Sequence, residues 1–133
     1  MMVKSDFCIL LIDDDPSINY LNKLIIEKAD IHANVCDRTQ ADEALSQLSE
    51  GIINPNLILL DINMPTMNGW QFLEKYHELP EESRKSKVII LSSSINPSDK
   101  EKASQSSVIL DFYSKPLSIA NVKEIRETLL NEN

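Results

Sequence analysis

The sequence predicts an α/β protein: a doubly wound, five-stranded parallel sheet with helices on both faces. Five short apolar runs occur at Phe7–Ile12, Ile31–Cys36, Leu57–Leu60, Val88–Leu91 and Val108–Tyr113. Each is too short for a helix, and their β-branched, near-continuous hydrophobic character suits strands covered on both sides. Amphipathic stretches separate them, and strand–helix alternation with right-handed crossovers gives a parallel sheet wound in both directions. The chain has 133 residues, 42% hydrophobic and 26% charged, which suits one core and a single domain over 1–133, with its folded part at about 7–130.

The elements follow in order. After the first run, Pro16 suits a first helical turn, and Ile18, Leu21, Leu24, Ile25 and Lys28 follow at helical spacing. Beyond the second run, Thr39 and Asp42 form a capping pair ahead of Ala41, Ala44, Leu45 and Leu48, and Gly51 ends that helix. A third helix over Asn68–Leu79 places Phe72, Leu73 and Tyr76 on one side and stops before Pro80. Asn96-Pro97 opens a fourth helix, Pro97–Ser107, in which Ala103 is the one plainly apolar side chain. Ser118 caps a fifth, with Ile119, Val122, Ile125 and Leu129 on its apolar stripe.

Composition removes several function classes. The net charge is -8, with 21 Asp and Glu against 13 Lys and Arg and no basic cluster, so direct nucleic-acid contact is not expected. No apolar run reaches membrane-spanning length and the first residues lack a signal-peptide core, which points to a cytoplasmic protein without membrane insertion. Cys8 and Cys36 lie in apolar runs and read as small hydrophobes in a reducing compartment. His32 and His77 stand apart from the acidic clusters and read as surface or partly buried residues.

Open parallel sheets bind ligands beyond the carboxyl ends of their strands. At those ends this sequence places Asp13-Asp14-Asp15, Asp61, Ser92-Ser93-Ser94 and Ser114-Lys115-Pro116. Clustered carboxylates repel one another, so the pattern makes sense around a hard cation. Mg²⁺ fits, since it takes oxygen ligands from one or two carboxylates and keeps several waters. Asp14 and Asp61 supply direct ligands, Asp13 acts through water, and the Asn63 backbone carbonyl completes the set. Lys115 can pair with a phosphate oxygen as a mobile point charge, and Ser92 offers a hydroxyl opposite. Such a site suits in-line phosphoryl transfer with the Asp61 carboxylate as nucleophile. Asp15 is read as a helix N-cap only.

With these residues in place, the chain resembles the receiver domain of two-component response regulators from about Phe7 to Leu130. The resemblance rests on CILLIDDDPSINYL, NLILLDINMPTMNGWQFL, KVIILSSS and DFYSKPL, the second being the most specific. It implies the flavodoxin-like strand order 2-1-3-4-5, Asp13 and Asp14 as the acidic pair, and Asp61 as phosphoacceptor. It also implies Ser92 as switch hydroxyl, Phe112 as aromatic switch, and Lys115 as the site lysine, joined to Pro116 by a cis bond. Asn63 and Ser94 fall where this family tunes acyl-phosphate lifetime; being uncharged, they imply slow hydrolysis. Three departures stand out: Val108-Ile109-Leu110 where a Gly-Ala pair is common, Ser92 for the commoner Thr, and a long, charged Pro80–Lys87 connection.

The expected role is a signalling switch, not an enzyme, phosphorylated by a sensor histidine kinase or a histidine phosphotransfer protein. With the chain ending at Asn133, a free-standing domain is expected, passing its signal to a downstream protein as adaptor, relay or phosphate sink. Output is expected on the fourth helix, fifth strand and fifth helix, because a helix with so little to bury is weakly held. Trp70 is expected to be a core residue. An aspartate-nucleophile phosphatase would carry a second acid where Asn63 stands, and a phosphate-independent pseudo-receiver would not need the full acidic set.

Overall fold

β3 (Leu57–Asp61) is buried along its whole length, as a strand covered on both faces must be. It lies at the centre of a parallel sheet with β1 (Cys8–Ile12), β2 (Asn34–Arg38), β4 (Lys87–Ser92) and β5 (Ile109–Ser114), in the order β2-β1-β3-β4-β5. This is the fold class and strand order expected from the sequence. The computed structural model describes residues 7–93 and 96–131, with side chains described through residue 129.

Helices α1 (Pro16–Ala29) and α5 (Ile119–Asn131) cover one face through Ile26, Ala29, Val122 and Ile125. Helices α2 (Ala41–Ser49) and α3 (Gly69–His77) cover the other through Ala44, Leu45, Leu48, Phe72, Leu73 and Tyr76. Full burial of each such Leu, Ile or Phe contributes roughly 1.5–3 kcal/mol, so both faces are firmly attached to the sheet. Helix α4 (Pro97–Ser104) lies against β5, and Ala103 is its one buried side chain among the described residues.

Several boundaries differ from the sequence expectation for local reasons. β2 begins at Asn34 instead of Ile31, because Asp30 (φ 53°) and His32 (φ 56°) take left-handed backbone conformations. Ile31 still plugs the core, and its carbonyl accepts from the Arg126 guanidinium. α2 is not capped by Thr39: its N-cap is Gln40, without a side-chain bond, and the Asp42 carboxylate accepts from Glu43 N–H. Its end is as expected, since Gly51 (φ 73°) lets Ile52 N–H reach Gln47 O and Gly51 N–H reach Leu48 O. α4 stops at Ser104, three residues short of the expected end.

α1 corrects the expectation most. Its buried face is Asn19, Asn22, Ile26 and Ala29, while Leu21 is exposed and Ile18, Leu24 and Ile25 are half-buried. The Val108-Ile109-Leu110 departure is resolved as a β-bulge: Val88 pairs Ile109 and Ile89 pairs Asp111, leaving Leu110 as the extra residue. The charged connection after α3 forms a 3₁₀ turn (Glu81–Ser83), followed by Ser86, whose hydroxyl donates to Pro55 O and whose N–H donates to the Tyr76 hydroxyl.

Candidate functional site

The carboxyl ends of β1, β3, β4 and β5 bring the sequence-expected residues to one edge. Asp13 follows β1 directly, Asp61 ends β3, Ser92 ends β4 and Lys115 follows β5. Asp13, Asp61 and Ser92 are 3%, 2% and 0% exposed, whereas Asp14 faces solvent. Lys115 Nζ donates to Asp13 Oδ2 at 2.7 Å and lies 3.1 Å from Asp61 Oδ1. Its backbone is fixed too: Lys115 N–H donates to Ser92 O at 3.0 Å, and the Lys115–Pro116 bond is cis, as the resemblance implied.

The loop after β3 is shaped by close packing. Asn63 N–H donates to Asp61 Oδ1 at 3.1 Å, and Asn63 Nδ2 donates to Ser92 Oγ at 3.2 Å. The loop then folds back until Gly69 N–H reaches Ile62 O at 3.1 Å. A Cβ on Gly69 would sit 2.7 Å from Ile62 Cγ2, 2.8 Å from Ile62 Cα and 3.0 Å from Asp61 O, so only glycine fits. Asn68 and Gln71 start α3 with a reciprocal capping box. A cleft of about 370 Å³ opens beside Asp14, between Thr39–Asp42 and Met64–Met67.

The charges do not balance. One oxygen each of Asp13, Asp14 and Asp61 lies within 4.8 Å of the others, with one ammonium between two of them. Burial pushes the Asp13 carboxyl above its ordinary range, against the hydrogen bond from Lys115 and with the like charge of Asp61 adding to the rise. For Lys115, burial pulls downward but is outweighed by the hydrogen bonds to Asp13 and Asp61, so its pKa is raised. Three carboxylates against one cation leave negative charge that a hard divalent ion would neutralise, and an all-oxygen donor set fits Mg²⁺. Asp15 stands outside this group as the α1 N-cap, its carboxylate accepting from Ser17 N–H and Ser17 Oγ–H, which lowers its pKa.

Phe112 is half-buried on the α2–α3 face, with Lys100 Nζ 5.7 Å from its ring centroid. Trp70 is only partly buried: its Nε1–H donates to Asp99 Oδ1 at 3.1 Å, and Lys102 Nζ lies 5.5 Å from its ring. α4 is therefore held to α3 and β5 largely by polar and cation–π contacts. Ser94 lies outside the described residues. His32 and His77 are exposed and away from the acidic group.

Sequence reasoning missed Asn19 and Asn22. Asn19 Nδ2 donates to Asp13 O at 3.0 Å and to Arg38 O at 3.3 Å; Asn22 Oδ1 accepts from Leu117 N–H at 3.4 Å. Two asparagines three residues apart inside a helix were the available signal, since Asn is a poor interior helix former.

A family model described as the response regulator receiver domain matches residues 9–127. The chain is 36% identical over 91 residues to the nitrate/nitrite response regulator protein NarL of Escherichia coli (strain K12), a match covering 68% of this chain and 40% of NarL. It is 27% identical over 128 residues to the chemotaxis protein CheV1 of Helicobacter pylori, covering 96% of this chain and 38% of that protein. The chain thus spans about two fifths of the length of these relatives. Among solved structures, a two-component response regulator from Cytophaga hutchinsonii superposes with a TM-score of 0.85 at 33% identity, covering 93% of this chain and 96% of that one.

Proposed function

The chain belongs to the family of response regulator receiver domains, and on that premise we propose that it is a phosphoacceptor switch whose acceptor is Asp61. The observation that carries the assignment is Lys115 Nζ, shared between Asp13 Oδ2 at 2.7 Å and Asp61 Oδ1 at 3.1 Å across the sheet edge. An ammonium already placed on the acceptor can pair with an incoming phosphoryl oxygen without reorganisation.

Asp61 Oδ1 accepts from both Lys115 and Asn63 N–H, so we assign Oδ2 as the nucleophile. It attacks phosphorus in line, and the P–N bond to a donor histidine breaks as the P–O bond forms. A bound Mg²⁺, held by Asp14, Asp61 and the Asn63 carbonyl with Asp13 through water, would supply positive charge against the phosphoryl oxygens. The phosphoryl group adds strong acceptors, to which the Ser92 hydroxyl turns on leaving Asn63 Nδ2. Phe112 then follows into the vacated space. Output lies on α4, β5 and α5, where α4 is the α-helix with the fewest buried side chains among the described residues. The donor is a sensor histidine kinase or a histidine phosphotransfer protein. The uncharged Asn63 gives no base for an attacking water, which suits a slowly hydrolysing acyl phosphate.

The test is incubation with Mg²⁺ and acetyl phosphate, followed by intact-mass measurement. A phosphoryl adduct is expected on the wild type and none on Asp61→Asn. An adduct on both, or on neither, would overturn the assignment.

A further inference from the structure

α1 carries two amides where packing alone calls for apolar side chains. Asn19 and Asn22 are 2% and 1% exposed, on the same buried face as Ile26 and Ala29. A buried amide is costly unless it is bonded. The bonds these two make go to the backbone of the Asp13 loop, of the neighbouring end of β2, and of the loop that follows Lys115. Asn19 Nδ2 donates to Asp13 O at 3.0 Å and to Arg38 O at 3.3 Å, and Arg38 O also accepts from Asp13 N–H at 3.2 Å. Asn22 Oδ1 accepts from Leu117 N–H, two residues beyond Lys115. Asn19 Oδ1 is buried without a hydrogen-bond partner among the described residues, so the amide is oriented for its donors, toward the loop carbonyls.

The two loops have no covalent neighbour in common: Asp13 and Lys115 are 102 residues apart in the chain. One rigid helix spans them, with its i and i+3 side chains each holding one loop. We propose that Asn19 and Asn22 are positioning residues that fix the Asp13 loop against the Lys115–Leu117 loop. In doing so they set the divalent-cation affinity and the phosphorylation rate at Asp61. The inference rests on the receiver reading above, deepening it with two residues outside the carboxylate–lysine group.

The test compares wild type, Asn19→Leu and Asn22→Leu in the full chain, with Leu48→Ala as a destabilised control remote from the site. Mg²⁺ is titrated against the thermal midpoint, a readout independent of phosphorylation, and adduct formation from acetyl phosphate is followed at each Mg²⁺ concentration by intact mass. Removing a group that orients a ligand typically costs roughly tenfold or more in metal affinity, so both Leu variants are expected to need about tenfold more Mg²⁺. Leu48→Ala is expected to melt earlier with an unchanged Mg²⁺ requirement.

Folded Leu variants with the wild-type Mg²⁺ requirement and rate would overturn the inference, as would a Leu48→Ala control that shifts as much as they do. Where a Leu variant does not fold, wild-type amide exchange decides. Mg²⁺ is expected to slow exchange at Leu117 N–H, and no change there would overturn the inference. Failure of the wild type to acquire a phosphoryl group would instead refute the receiver reading itself.

Discussion

Neutralising Asp61 should stabilise the metal-free protein, although the residue sits at the heart of the site. In Asp61→Asn the Oδ1 acceptor is retained for Asn63 N–H and Lys115, so charge is the main loss. Asp13 and Asp14 each place an oxygen within 4.8 Å of the cluster, and at an effective dielectric of about 20 two unit charges at that distance repel by roughly 3.5 kcal/mol. Two such neighbours give roughly 7 kcal/mol, against which Lys115 at 3.1 Å returns roughly 5 kcal/mol. The residue of about 2 kcal/mol is reduced by solvent around exposed Asp14, leaving an expected gain of about 1–2 kcal/mol. For a domain of this size that raises the midpoint by about 4–8 °C, read by calorimetry or circular dichroism in a chelator. Millimolar Mg²⁺ should narrow the gap, because it binds and stabilises the wild type more than the variant. A variant that melts below wild type in the chelator, or a gap indifferent to Mg²⁺, would refute this electrostatic account.

Three further outcomes are expected. Gly69→Ala forces a Cβ against the Ile62 backbone at 2.8 Å, so urea unfolding should show a loss of about 1–3 kcal/mol and the phosphorylation rate should fall as the Asp61 carbonyl is displaced. Trp70→Phe removes the indole N–H that Asp99 accepts, and hydrogen exchange in α4 should accelerate by severalfold while exchange in β3 stays unchanged. Tyr113 Oη–H donates to Glu124 Oε1 at 2.6 Å, and its pKa is raised by burial first and by that bond second. A phenol whose pKa is higher folded than unfolded contributes stability that is whole below the unfolded value of 10.0 and is lost as pH climbs from there toward the folded value. Wild type should therefore lose stability over that alkaline window more steeply than Tyr113→Phe, measured by urea unfolding at stepped pH.

The acidic edge was legible in the sequence because it follows from short-range patterns, whereas the strand order came from the receiver-domain resemblance and not from periodicity. Leu57–Leu60 is apolar on consecutive residues, which demands cover on both faces, and the polar residue that ends such a run must emerge at the sheet edge. Asp13, Asp61, Ser92 and Lys115 are found by that rule alone. What escaped it was bonding between polar groups distant in sequence. Periodicity assigned α1 an apolar stripe through Leu21 and Leu24, because it treats every Asn as solvent-facing; Asn19 and Asn22 are inside since the loop backbone there needs partners. Trp70 misled in the opposite direction. Its size suggested core, but its N–H finds Asp99 and its ring finds Lys102, contacts that no local pattern encodes.

That contrast bears on how a signal at the edge would spread. β3 and β4 hold Asp61 and Ser92 at the ends of runs of fully buried Leu and Ile, and shifting such a strand disrupts packing on both faces. α4 is held by Ala103, a Trp70–Asp99 hydrogen bond and ammonium groups over Trp70 and Phe112. Exposed contacts of that kind contribute roughly 0.5–1 kcal/mol each, well below the cost of moving a packed strand. A charge added at Asp61 would therefore meet a stiff sheet beneath it, while α4, packed against β5, is the more loosely tied element, and the displacement is expected there. Salt gives an independent handle on the same argument. Screening weakens the ammonium–ring contacts but not the burial of β3, so raising ionic strength should loosen α4 selectively in hydrogen exchange. Uniform loosening of α4 and β3 would mean that α4 is held by something other than these polar ties.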